Sequence, residues 1–262
     1  MRTYWAFFRK AFKKHLAYRA EVWLRIIGGI LSITVQVAIW RAVLGEGSNS
    51  GIDLADMVTY AIITTGLGTL LMQGLVTDAD DRLRTGDIAV DLLKPLRYPL
   101  FLFADQLGRS AFQCLFTMVP TVAIAWLLFG FNAPASPAHA LAFMLALILA
   151  LVISYAIGFL VALLAFWFLT TFHFAWAVGA LSTAFAGTFL PLWFFPPGWE
   201  MLARSLPFQF MGFVPAATYM GELPGRELML TLGLGLLWAA TLLGAIRWLW
   251  SASIRRLVIQ GG

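Results

Sequence analysis

TDADDRLRTGDIAVDLLKPLRYP, residues 77–99, is the long charged stretch that lies between two apolar runs. It holds five carboxylates (Asp78, Asp80, Asp81, Asp87, Asp91) and four cations (Arg82, Arg84, Lys94, Arg97). Thr77 caps a short helix whose first turn carries the aspartates, where the helix dipole favours them. Gly86 stops it. A second short helix from Asp87 to Lys94 ends at Pro95. The result is a compact hairpin beside a membrane, because almost everything around it is apolar. The chain has 262 residues, 61% hydrophobic and 12% charged, about half the charge of a soluble domain. Such a surface would not stay in water. An integral, all-α polytopic membrane protein follows, with apolar runs of the length that crosses a bilayer.

Working outward gives six spans: Trp23 to Val43, Met57 to Val76, Leu107 to Phe129, His139 to Phe166, Trp176 to Phe195 and Leu228 to Trp250. The first is expected to be retained, since no small-residue cleavage site follows the basic arm. Arg25 and Arg41 bracket its apolar centre about 24 Å apart, so each snorkels to its own interface. Gln36 between them is expected to hydrogen-bond a neighbouring helix. Small residues in the second span, Gly66 and Gly68 among them, let helices approach. Pro120 should kink the third span and free a carbonyl. The single cysteine, Cys114, excludes an intrachain disulfide.

Residues 1–20 place Trp5, Phe8, Phe12 and Leu16 at helical spacing opposite Arg9, Lys10, Lys13 and Lys14. This is an amphipathic interface helix in contact with membrane lipids. Residues 196–222 lie in an aromatic, proline-rich piece too broken to span and too apolar for an ordinary loop. A re-entrant pair of short helices at the outer side fits it. Lysine and arginine concentrate in the arm, the 77–99 stretch and the tail. The positive-inside rule then makes both termini and that stretch cytoplasmic. The whole of 1–262 reads as one transmembrane domain.

Few constellations carry chemistry. The sequence has no phosphate-binding G-x-x-x-x-G-K-[ST] loop, no H-E-x-x-H and no G-x-S-x-G, so no catalytic site, cofactor or resident metal is expected in this chain. Two readings stay open beside transport by an externally driven permease. Asp78, Asp81, Asp87 and Asp91 could hold magnesium for an intramembrane prenyl transfer, although a second Asp-rich motif is missing. An ion-coupled secondary transporter would need mid-membrane ionisable residues, and the spans carry none. Ser182, Thr183 and Thr188, with Trp193, Phe194, Phe195 and Trp199, form a weakly polar, aromatic candidate pathway and gate. It suits a lipid, lipopeptide, drug or aromatic cation.

The order of parts resembles the type-2 permeases of ATP-binding-cassette (ABC) exporters. Leu83-Arg84-Thr85-Gly86-Asp87-Ile88 through Leu92-Leu93-Lys94-Pro95-Leu96 is similar to the family's I-x-x-G-x-(I/L)…L-L-x-P-(L/I) signature after the second span, with Leu83 in place of the usual Ile. Leu206-Pro207-Phe208 through Phe213-Val214-Pro215 is similar to its L-P-F…P segment before the last span. The resemblance implies that Leu83, Asp87, Ile88, Asp91, Leu92 and Leu93 form a coupling element docked on a separate ATPase. It implies two ATPase subunits, which hold the ATP and magnesium, and a second permease chain, identical or paralogous. It places the chain in a bacterial cytoplasmic (inner) membrane and implies no nucleic-acid partner.

Overall fold

The computed structural model describes residues 2–15, 19–44, 53–71, 97–164, 167–168 and 171–260. The coupling candidates Leu83, Asp87, Ile88, Asp91, Leu92 and Leu93, the aspartates Asp78 and Asp81, and Leu16 of the arm lie outside these residues.

The described residues form an all-helical fold. Helix α1 spans Arg2–His15, α2 Arg19–Val43 and α3 Leu54–Leu70. After the charged stretch come α4 (Tyr98–Gln113), a π-turn (Cys114–Met118) and α5 (Val119–Phe129), continuous in one rod. Then follow α6 (Pro137–Leu163) and α7 (Phe172–Phe185). The broken segment holds a 3-10 turn (Leu192–Phe194), α8 (Pro197–Ser205), a second 3-10 turn (Pro207–Met211) and α9 (Phe213–Met220). Helix α10 closes the chain over Gly225–Gln260.

Local chemistry sets these boundaries. Asp53 caps α3 by accepting from the Ala55 N–H at 3.3 Å. Ser136 caps α6 by accepting from the His139 N–H at 3.3 Å, with Pro137 in the first turn, where its missing donor costs nothing. Gly221, at φ +82°, ends α9 in the left-handed conformation that glycine adopts without strain. Pro120 follows the π-turn, in which the Val119 N–H bonds back to the Cys114 carbonyl. The expected disturbance is therefore a local widening of the helix just before the proline.

Among the described residues, four stretches are long and apolar enough to cross a membrane: Ala20–Val43, Tyr98–Phe129, Pro137–Leu163 and Gly225–Ser253. Their burial ranks them. The most apolar window of the Pro137–Leu163 stretch is 61% buried, against 28%, 28% and 17% for the first, second and last. Helix α6 is therefore the central post, and α10 is a peripheral one that leaves apolar surface facing outward.

Helices α3 and α7 are shorter and apolar. The segment expected as a fifth span, Trp176 to Phe195, is helical over Phe172–Phe185. Its helix stops early because the chain turns at Gly187, φ +69°, before Pro191.

One core cluster joins α3 and α6 to the broken segment through Tyr60, Leu67, Leu149, Ile153, Phe210 and Phe213. A second sits where α4 begins, around Tyr98, Phe101, Tyr155, Phe159 and Ile246. A third packs α2, α3 and α5 together through Ile33, Val37, Ile62 and Ala125.

Candidate functional site

In the chain the charged stretch lies between α3 and α4, and the described residues nearest to it are the end of α3 and the start of α4. On the α3 side, the Ser110 hydroxyl donates to the Leu70 carbonyl at 3.0 Å. On the α4 side, the Arg97 N–H donates to the Tyr4 hydroxyl of α1 at 3.3 Å. The Tyr155 hydroxyl of α6 donates to the Pro99 carbonyl at 2.6 Å. Tyr98 stacks on Trp250 of α10 with ring centroids 5.1 Å apart and planes 7° from parallel. Three different helices therefore grip the first turn of α4.

Helix α1 lies along α4, one of the most extensive helix pairings in the fold. Phe7 meets Phe101 edge-on at 4.6 Å and Phe12 meets Phe112 at 5.7 Å. A side chain at Gly108 would collide with the Phe8 carbonyl and come within 3.0 Å of the Ala11 Cβ. Of the aromatic face read from the sequence, Phe8 and Phe12 are half-buried and Trp5 stays exposed while stacking on Phe8 at 4.8 Å. Tyr4, Phe7 and Ala11 complete the packed side.

The outer-segment candidates fall into two groups. Trp193 stands edge-on to Tyr60 at 5.7 Å and to Phe213 at 5.4 Å, and Phe194 lies 5.3 Å from Trp40. Together they knit α2, α3 and α9. The Tyr60 hydroxyl also donates to the Gly187 carbonyl, and the half-buried Thr188 presses its methyl group on Gly212. Phe195 is half-buried against the same core. Ser182 Oγ lies 4.0 Å from Met211 Sδ. Thr183 is exposed and donates back to the Gly179 carbonyl at 3.0 Å. Trp199 is exposed, with its ring 6.3 Å from Phe185.

Two polar clasps tie the broken segment to its neighbours. Arg204 of α8 reaches Glu200 at 2.9 Å and Glu227 of α10, and its guanidinium carbon lies 5.2 Å from the Phe213 ring centroid. The Asn132 backbone N–H donates to Thr59 Oγ1 at 3.0 Å and its side-chain amide donates to Asp56 at 2.9 Å. The Tyr219 hydroxyl donates to the Asn132 carbonyl at 3.1 Å.

Sequence reasoning missed a buried polar stripe along α4, the π-turn and α5: Gln106, Ser110, Gln113, Thr117 and Thr121. The steps of four, three, four and four residues were visible in the sequence, and they match the helical repeat. High local hydropathy masked them. At Thr121 the stripe faces a small residue, since Gly29 of α2 would place a Cβ 3.0 Å from it; next to the stripe, Gly66 of α3 would place one 3.3 Å from Met118. Gln36 does make its interhelical bond, donating to Thr65 Oγ1 at 3.2 Å. Beside the stripe, an apolar groove of about 490 Å³ opens between Met118, Val122, Trp126 and Phe131.

Among the described residues no three His, Cys, Asp or Glu side chains come together to hold a metal ion. No curated protein matched the chain in sequence. A family model described as ABC-2 family transporter protein matches residues 30–261, nearly the full length. The chain belongs to the ABC-2 transporter family, as a membrane permease component.

Proposed function

We propose that this chain forms half of the membrane pathway of an ABC exporter and moves an amphipathic or hydrophobic cargo such as a lipid, lipopeptide, drug or aromatic cation. The family match across residues 30–261 carries the reading. The four long apolar stretches, with α3 and α7 as two shorter crossings, make six spans. An even number puts both termini on one side, and the lysine and arginine distribution makes that side cytoplasmic. Helices α8 and α9 then lie on the outer side as a re-entrant gate. A second permease chain, identical or paralogous, completes the pathway, and the exposed apolar surface of α10 is in keeping with cover by that chain or by lipid.

Two ATPase subunits supply the energy, with ATP and magnesium bound there. They dock on the 77–99 stretch through Leu83, Asp87, Ile88, Asp91, Leu92 and Leu93. The N-terminal arm, α1 with Trp5, Phe8 and Phe12 and then Leu16 beyond it in sequence, serves as the interface helix beside them. The grip on Arg97, Tyr98 and Pro99, where the stretch enters α4, supports this role, because force passes into the bundle only where the chain is held.

The test is purification of the tagged chain from its host in mild detergent. A soluble ATPase is expected in fixed proportion, and replacing Asp87 to Leu93 by a Gly/Ser linker is expected to abolish its capture. Leu92→Ala is expected to leave the complex hydrolysing ATP without transport. Absence of any ATPase under several mild conditions would sink the reading. Magnesium-dependent prenyl transfer, through Asp78, Asp81, Asp87 and Asp91, would then be the activity to assay.

A further inference from the structure

The grip on the start of α4 is unequal in what it connects. Tyr4 and Trp250 tie it to α1 and α10, and α10 is the least buried of the long apolar helices. Tyr155 ties it to α6, the most buried one. The backbones of α4 and α6 stand apart and the two helices meet through side chains, and the long tyrosine side chain bridges them to a backbone acceptor. Its ring is fixed on two sides, stacked on Phe159 at 5.7 Å and edge-on to Phe103 at 4.8 Å. This aims the hydroxyl. The acceptor is stiff as well, because Pro99 has a fixed φ. Tyr155 also lines a small cavity of about 10 Å³ with Leu70, Leu71 and Ser110. The end of α3 and the start of α4 therefore both border this one side chain.

We infer that Tyr155 is a positioning residue for the ATP-driven cycle. Its hydroxyl bond to the Pro99 carbonyl makes the central helix follow the end of the charged stretch. The inference rests on the permease reading above and adds to it the residue through which motion enters the bundle core. A single hydrogen bond of ordinary net strength corresponds to about a fivefold factor in an equilibrium. That is the size of effect to look for when the bond takes part in the rate-limiting closure.

The experiment compares ATP hydrolysis by the complete purified complex carrying native chain, Tyr155→Phe or Tyr60→Phe. Both substitutions delete a hydroxyl that bonds a backbone carbonyl, that of Pro99 for Tyr155 and, for Tyr60, that of Gly187, which is not part of the charged stretch. Tyr155→Phe is expected to lower kcat about fivefold with KM for ATP unchanged, since nucleotide sits in the partner. Tyr60→Phe is expected to lower thermal stability and leave kcat alone. A purely structural role for Tyr155 would lower stability without this split. Hydrolysis by Tyr155→Phe within about twofold of native overturns the inference, and so does an equal kcat loss in Tyr60→Phe. If Tyr155→Phe does not assemble, Pro99→Gly loosens the acceptor without touching α6. The same fall in kcat is expected, and a native rate overturns the inference. A native complex that contains no ATPase refutes the permease reading itself, and the inference with it.

Discussion

Replacing Gly108 by valine is expected to release the N-terminal helix from α4. At Gly108 the two helices approach backbone to side: an added Cβ would fall against the Phe8 carbonyl and within 3.0 Å of the Ala11 Cβ. A carbonyl within a helix cannot rotate away as a side chain would. Overpacking of this kind costs about 1–3 kcal/mol, which shifts a docking equilibrium by roughly 5- to 150-fold. The detached helix would take with it the Phe7–Phe101 and Phe12–Phe112 contacts and the Tyr4 bond to Arg97. Thiol labelling reads this directly. In a Cys114→Ser background, Ala11→Cys supplies the one cysteine at a position that is 4% exposed. Adding Gly108→Val is expected to raise its labelling rate at least about fivefold. An unchanged rate would mean that the helix stays docked.

That contact also marks the limit of what the sequence disclosed. The amphipathic arm was legible because its cations and aromatics alternate at helical spacing. Its partner was not, because Gly108 is about a hundred residues away and nothing local distinguishes it from any other glycine in an apolar run. Length and hydropathy revealed the long crossings, and Gln36 could be read as an interhelical donor because an amide inside a span needs a partner. The end of α7 could not be read. Phe185 to Phe195 stays apolar but for Thr188, and the helix stops where Gly187 turns and packs on Phe213 and Leu192. The polar stripe from Gln106 to Thr121 was present in the sequence, outweighed by the apolar residues between its members. The coupling candidates rest on motif and composition alone.

A second large effect is expected from Gly187→Ala. The residue holds φ +69°, and an added Cβ would lie 2.9 Å from the Phe213 Cβ and 3.3 Å from the Leu192 side chain, both buried. The left-handed backbone costs a residue with a Cβ roughly 1–2 kcal/mol, and crowding adds a similar amount. The shift would also move the carbonyl that Tyr60 bonds. For a chain of this size each kcal/mol moves the melting midpoint by about 2–4 °C. Gly187→Ala is therefore expected to melt about 5 °C or more below native, and below Tyr60→Phe, which loses the hydroxyl bond alone. A midpoint at or above that of Tyr60→Phe would show that the loop yields without penalty.

The π-turn at Cys114–Met118 bears on how the length of this span can change over generations. A π-turn is an α-turn with one residue inserted. Deleting a single residue there lets the rod wind back to a regular helix with α4 and α5 still in phase. The same deletion elsewhere in Tyr98–Phe129 turns everything beyond it by about 100°. The rewound helix, however, would present Pro120 with the carbonyl clash that a proline meets in a helix interior. The deletion and the proline are therefore genetically tied. A shortened chain is expected to accumulate poorly in the membrane until Pro120 is also replaced by alanine, after which its level recovers.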